Sequence, residues 1–330
     1  MSSRRSSPRP APDVAEHPVL DVLRERHRAG SRPGAREDPH RVALVLEGGG
    51  MRGVVSSAMT VALEEAGLTD ALDLVVGTSA GALNGAALVS GVAAGCCAEY
   101  TGAFVGRDFI NPARLLLGRP VFDVGRTLDF SSGHLDAERH RRTVDSPIAL
   151  HCVATDVDAA RSEDLTGLHT LADLRAGLLA TSRLPLIGGA PVPFRGRRWI
   201  DGGLLDPVPL GAALAAGATH VLALLTRPES AAPPPTGGGL TDRLVERHLR
   251  RLNPRLVGAY RARPATYARV TEQIIAASRD PAAGGPAVLG IWLAAGTPVP
   301  SRLERDPAVL GVAAAVARER AAGVLASAVA

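Results

Sequence analysis

The chain has 330 residues, 46% hydrophobic and 21% charged, a balance that excludes a disordered chain and supplies a sizeable core. Aromatic residues make up only 3%, so that core must be built from Ala, Val and Leu. The formal charge is +4 and every basic residue is Arg, but with so few rings to stack bases no nucleic-acid partner is expected. Three cysteines, two of them adjacent (Cys96 and Cys97), form neither a disulfide framework nor a metal cluster. Their pattern suits a reduced, cytoplasmic protein.

Residues 1–40 are rich in Pro, Arg, Ser and Glu and lack an apolar stretch of signal-peptide length. They read as a disordered or loosely ordered N-terminal tail with one short helix over 19–28. Short aliphatic runs then alternate with longer Ala/Leu-rich stretches, the pattern of strands buried on both faces and joined by crossover helices. Strands are expected at 41–46, 72–76, 148–155, 198–200, 220–225 and 287–293. Helices are expected at 53–66, 80–94, 135–142, 171–181, 209–216, 240–252, 265–278 and 308–326, with a break near Pro254. The charge-free run 74–98 is long enough to span a bilayer. Its five glycines, with Thr78, Ser79, Asn84 and Ser90, suit a strand turning into a helix packed closely on a sheet, so no transmembrane helix is expected. Residues 228–239 read as a Pro/Gly-rich loop. One domain over 41–330, with a helical C-terminal part, accounts for the pattern.

Three motifs carry chemistry. After the first strand comes Glu47-Gly48-Gly49-Gly50-Met51-Arg52-Gly53, a loop that can present several amides together at a helix start. Such a cradle binds phosphate or an oxyanion, or serves only as a tight turn. Gly48, Gly50 and Gly53 have the dinucleotide spacing, but that motif wants an acid at the end of the second strand, and Asp73 lies at its start. After the second strand comes Gly77-Thr78-Ser79-Ala80-Gly81, a Gly-x-Ser-x-Gly elbow entering a helix. Small residues on both sides admit the sharp turn that exposes a nucleophilic serine; the plainer reading is a helix-capping serine. None of the nine histidines stands in a distinctive turn after a strand, although His220 and His248 remain alternative bases. Asp201-Gly202-Gly203 instead places a carboxylate at a strand end, where a simple Asp-Gly turn is the competing reading.

In this order the three motifs resemble those of the patatin-like phospholipases, over about residues 41–225. The resemblance implies a three-layer α/β/α fold with a mainly parallel central sheet. It implies a dyad of Ser79 as nucleophile and Asp201 as base, an oxyanion hole from Gly48, Gly49 and Gly50, and Arg52 and Gly53 supporting the loop. Gly77 and Gly81 would then shape the elbow, and Gly202 and Gly203 the aspartate turn, with no metal or cofactor. The chain departs from the family's usual pattern at Arg183, where a smaller residue is general, and matches its Pro-rich turn only loosely over 187–194. The expected function is hydrolysis of phospholipid or other fatty-acyl esters. Acyl transfer or thioester cleavage by the same dyad is an alternative, as is a nucleotide-binding module built on the Gly48–Gly53 loop. Between Arg243 and Arg269 arginines interleave with leucines. Such a stretch either touches an anionic membrane surface peripherally or is a solvated helix face whose leucines pack inward. No feature of the chain sets an oligomeric state.

Overall fold

Uncharged runs of Val, Leu and Ala can be buried on both faces only inside a sheet covered on both sides. That is where they lie in the structure, a computed structural model that describes residues 16–117, 119–128, 137–231, 239–281 and 284–330. The strands are β1 (Val42–Leu46), β2 (Leu74–Thr78), β3 (Ala149–Asp156), β4 (Arg161–Leu165), β5 (Val192–Phe194), β6 (Arg197–Asp201), β7 (His220–Leu224) and β8 (Ala287–Ile291). They form one sheet in the order β5-β6-β3-β2-β1-β7-β8, with β4 also paired to β3. The β3-β2-β1-β7-β8 stretch is parallel, while β4, β5 and β6 join antiparallel.

Alternate residues of β1 point to opposite faces. Val42, Leu44 and Leu46 pack against α2 (Val54–Glu65), α3 (Ala80–Val89) and α11 (Pro307–Val329), while Ala43 and Val45 pack against α8 (Leu210–Ala215) and α10 (Arg255–Arg279). The result is a three-layer α/β/α fold. A third cluster, of Val157, Ile200, Leu204, Leu249, Leu256 and Tyr260, docks α9 (Leu240–Leu252) and the first turns of α10 beside the end of β6. Asn253, between those helices, donates through Nδ2 to the carbonyls of Val157 at 2.8 Å and Asp158 at 3.1 Å. Strand order reverses between β1 and β7, and the crevice beyond the strand ends at such a point is where α/β sheets hold ligands.

Several sequence expectations are corrected. Residues 1–15 of the expected tail lie outside the described residues, and residues 16–40 are not a loose tail. Helix α1 (Pro18–Arg28) packs on α11, β7 and β8, with Val19, Leu20 and Leu23 fully buried. Its Arg26 is buried too, held by Asp38 and by Asp73 at 2.8 Å. The helix expected over 80–94 divides into α3 and α4 (Ala93–Glu99), because Val92 N–H turns back to the Ala87 carbonyl and closes α3. Helix α10 begins at Arg255 and runs through Pro264, which forfeits only the rung to the Tyr260 carbonyl while Tyr260, Tyr267 and Ile274 stay buried. Strands β4 and β5 have no hydrophobic run to announce them: β4 reads Arg-Ser-Glu-Asp-Leu and forms because it folds back on β3. Helices α5 (Val124–Thr127), α6 (Ala137–Asp145) and α7 (Leu171–Thr181) complete the described set. Residues 135–136, at the start of the expected 135–142 helix, and 232–238 of the Pro/Gly-rich loop lie outside the described residues.

Leu23→Ala should lower unfolding free energy by about 2–5 kcal/mol in urea denaturation, the usual cost of emptying a buried leucine site. A loosely attached tail would show a change under about 0.5 kcal/mol.

Candidate active site

Strand β2 ends on the elbow. Ser79 adopts φ 55° and ψ −126°, a strained conformation for a residue with a side chain, which turns its hydroxyl out of the sheet. A Cβ on Gly81 would lie 2.4 Å from the Leu46 carbonyl oxygen, so the helix can start this close to β1 only with glycine there. Gly77 occupies the penultimate position of β2. The Ser79 amide donates to Thr181 Oγ1 at 2.8 Å, and the Thr181 hydroxyl donates in turn to the Val153 carbonyl.

Asp201 closes β6, held in register by its pairing with Ala154 of β3. Ser79 Oγ donates to Asp201 Oδ2 at 2.6 Å, and the amide of Gly203 donates to Oδ1 at 2.8 Å. The Gly202 carbonyl accepts the Asp206 amide at 2.8 Å and completes the turn. Both Ser79 and Asp201 are buried. Burial raises the Asp201 pKa to about 6, against the lowering effects of the Ser79 and Gly203 hydrogen bonds and of the Arg263 charge. Neither alternative base, His220 or His248, lines this site. His220 sits at the opposite, N-terminal end of β7, edge-on to His40 at 4.6 Å, and burial pushes its pKa down to about 4. His248 lies on α9, half-buried, with its pKa lowered by burial.

The glycine loop lies next to Ser79: a Cβ on Gly48 would stand 3.2 Å from Ser79 Cβ. Its three amides are not equivalent. Gly48 N–H is already committed to the Pro207 carbonyl at 3.1 Å, which removes it as an oxyanion donor. The Gly49 and Gly50 amides have no hydrogen-bond partner among the described residues, and both glycines line the same cavity as Ser79. Gly50 has φ 58°, and a Cβ there would meet the Arg302 carbonyl oxygen at 2.7 Å. That carbonyl also accepts the Met51 amide and pins the loop. Arg52 is buried, with Nε donating to Thr226 Oγ1 at 2.9 Å and the guanidinium 3.6 Å from Glu47. Glu47 accepts the Thr226 amide at 2.6 Å, so a buried Glu–Arg pair ties the loop after β1 to the end of β7. The Gly53 carbonyl accepts from Asn84 Nδ2 at 2.9 Å. Asp73 is far from this cradle in the fold: at the start of β2 it pairs with Arg26 and Arg36 and accepts the Val42 amide at 2.7 Å. It is unavailable to a ribose hydroxyl.

Residues 44–214 match the pattern that defines the patatin-like phospholipases. The chain belongs to that family. The uncharacterized protein YjjU of Escherichia coli (strain K12) is 29% identical over 196 residues, 58% of this chain and 53% of that protein. Lysophospholipase NTE1 of Mycosarcoma maydis is 29% identical over 191 residues, 56% of this chain and 9% of that much longer protein. The chain thus spans about half the length of the first relative and about a tenth of the second. The crystal structure of VipD from Legionella pneumophila aligns over 88% of this chain and 67% of that one, at 11% identity and a TM-score of 0.39.

This patatin-like site also contains groups that no sequence motif marks. Together they bound a cavity of about 400 Å³. Leu184, Pro185, Ile187, Leu204, Val245 and Leu303 form its apolar wall. Arg183, the departure noted in the sequence, has its carbonyl accepting the Asp201 amide at 2.8 Å, while its guanidinium donates to the Gly188 carbonyl. It thereby bridges the base of the 184–187 wall. Thr181, Asn84 and Arg263 come from three separate helices, and only the fold brings them here. Asn84 joins Gly53, Ser56 and the Tyr100 hydroxyl in one buried network behind the elbow.

Thr181→Val should cost about 1–3 kcal/mol in thermal or urea unfolding, because it orphans the buried Ser79 amide and removes the hydroxyl's bond to the Val153 carbonyl. Thr181→Ser should keep most of the stability; equal losses in both variants would place the effect in packing instead.

Proposed function

We propose that the protein is a lipid acyl hydrolase that works through a Ser79 acyl-enzyme. The observation that carries this reading is the 2.6 Å hydrogen bond from Ser79 Oγ to a buried Asp201 carboxylate, beneath two unpaired glycine amides. With the ester carbonyl over Ser79, Asp201 accepts the hydroxyl proton as Oγ bonds to the carbonyl carbon. The Gly49 and Gly50 amides receive the oxyanion; one such donor is typically worth roughly 2.7–4 kcal/mol in the transition state. Collapse expels the alkoxide, which takes the proton from Asp201, and water then attacks the acyl-enzyme with Asp201 again as base. An ordinary aspartate is a weak base at neutral pH. Raising its pKa to about 6 brings proton affinity closer to the task while leaving the carboxylate ionised at pH 7. The apolar wall suits a fatty-acyl chain, and relatives named lysophospholipase support an acyl-lipid substrate.

Substrate would reach the cavity from a lipid surface. On α9, Leu249 is fully buried but Leu240 is 75% and Leu244 45% exposed, Leu303 of the cavity wall is 50% exposed, and Arg243, Arg247, Arg250 and Arg251 are all exposed. An apolar rim flanked by cations fits the interface of an anionic membrane, which a peripheral protein could touch without spanning it. No helix among the described residues is long and apolar enough to cross a membrane.

Ser79→Ala and Asp201→Asn should each reduce ester turnover at least about a thousandfold while the fold persists. A fluorophosphonate probe should label the wild type at Ser79 alone, and retained turnover in Ser79→Ala would refute the nucleophile. A base must be deprotonated to act, so kcat/KM should fall as pH drops through about 6 and level off above it. Co-sedimentation should favour anionic over neutral vesicles and weaken in a Leu240→Ser/Leu244→Ser double variant; equal binding to both vesicle types would remove the surface role.

A further inference from the structure

Three arginines are buried among the described residues: Arg26, Arg52 and Arg263. Two of them have charged partners. Arg26 donates to Asp38, Asp73 and two backbone carbonyls, and Arg52 is held by Thr226 and Glu47. Arg263, only 6% exposed, is different. Its Nε is buried without a partner, and among the described residues the guanidinium forms no ion pair and no hydrogen bond. It stands on α10 and lines the cavity that contains Ser79, Asp201 and the free Gly49 and Gly50 amides.

A desolvated, unpaired guanidinium is costly, and an arrangement of this kind is stable in a fold mainly where something else supplies the counter-charge. Asp201 acts on Arg263 through space, but both oxygens of its carboxylate are occupied by Ser79 and Gly203. Asp242, which also lines the cavity, accepts the Tyr260 hydroxyl at 2.8 Å and makes no ion pair with Arg263. The planar fork of five donors matches the paired oxygens of a phosphate or a carboxylate, and of these a phosphate brings the larger counter-charge.

We propose that Arg263 is the anion receptor of this cavity, taking the phosphate of an acyl ester of glycerol phosphate while the acyl chain lies along the Leu184–Ile187 wall. The proposal rests on the hydrolase reading and names the substrate class within it. In such esters the phosphate lies a few bonds from the reactive carbonyl, so both can occupy one cavity of about 400 Å³. Arg263 is thus a specificity-determining residue: it rewards phosphate-bearing esters over neutral ones of equal chain length.

The test compares a 1-acylglycerol with the matching 1-acylglycerol 3-phosphate at pH 8, where Asp201 is ionised. In Arg263→Gln the ratio of kcat/KM for the phosphate-bearing ester to that for the neutral ester should fall roughly tenfold to a hundredfold, the usual cost of losing a charge-assisted hydrogen bond. Arg263→Lys should recover part of it. A residue that only buttresses Asp201 would lower both substrates together, so a ratio changed by less than threefold overturns the proposal and any larger fall supports it. Binding of dodecyl phosphate, dodecanol and inorganic phosphate to the wild type, followed by calorimetry, needs neither turnover nor a variant. Dodecyl phosphate should bind at least tenfold more tightly than either. Parity with dodecanol overturns an anion receptor, and parity with inorganic phosphate overturns a lipid headgroup as its occupant. Absence of ester turnover in the wild type would sink the hydrolase reading alone, because the calorimetric comparison stands without it.

Discussion

A carboxylate taken out of water must be given hydrogen-bond donors or lose its charge, and the Asp201 carboxylate sets that condition for the centre of this molecule. Its two oxygens receive one hydroxyl and one amide, from Ser79 and Gly203, and a third, longer-range contribution comes from the Arg263 charge. Those partners do not fully offset burial, so the pKa stays raised at about 6. In the proposed mechanism that incomplete compensation is what would make the group useful. A fully satisfied carboxylate would hold no affinity for a proton near neutral pH, and a fully unsatisfied one would be protonated already.

Meeting that condition constrains the surrounding fold. Antiparallel pairing of β6 with β3 puts Asp201 opposite Ala154, and parallel pairing of β3 with β2 brings the elbow alongside. The strained Ser79 backbone is fixed from the far side by Thr181, whose hydroxyl both accepts the Ser79 amide and donates to β3. On the other flank the buried Glu47–Arg52 pair joins β1 to β7 at the point where strand order reverses. The glycine amides are therefore presented on a scaffold with polar ties on both sides. In the proposed mechanism, preorganisation of this kind would leave little to rearrange as charge develops on a bound ester.

The helical second half closes the cavity through packing rather than through a motif. Burial of Leu249, Leu256 and Tyr260 against Val157 and Ile200 seats α9 and α10, and Arg263 follows Tyr260 by less than one helical turn. Its unpaired guanidinium is a consequence of where that cluster puts the helix. The same seating leaves Leu240 and Leu244 exposed on the helix whose Thr241, Asp242 and Val245 line the cavity.

Local features of the chain were enough to read the α/β alternation, the glycine loop, the elbow and the aspartate turn, because each depends on a few adjacent residues whose size and backbone freedom dictate the turn. Helices α7 and α9 were legible to the residue for the same reason. What depends on partners distant in the chain was not legible. The polar strand β4 exists only against β3, α1 belongs to the core only because α11 and the sheet edge cover it, and α10 passes Pro264 because buried neighbours hold both sides. The same holds for Gly48, whose amide is spent on Pro207, and for Thr181 and Arg263, which no pattern marks. The chain alone determined which turns it can make. The tertiary structure decided which donors remain free and which charges remain unpaired, since both depend on what each group meets once water has been excluded.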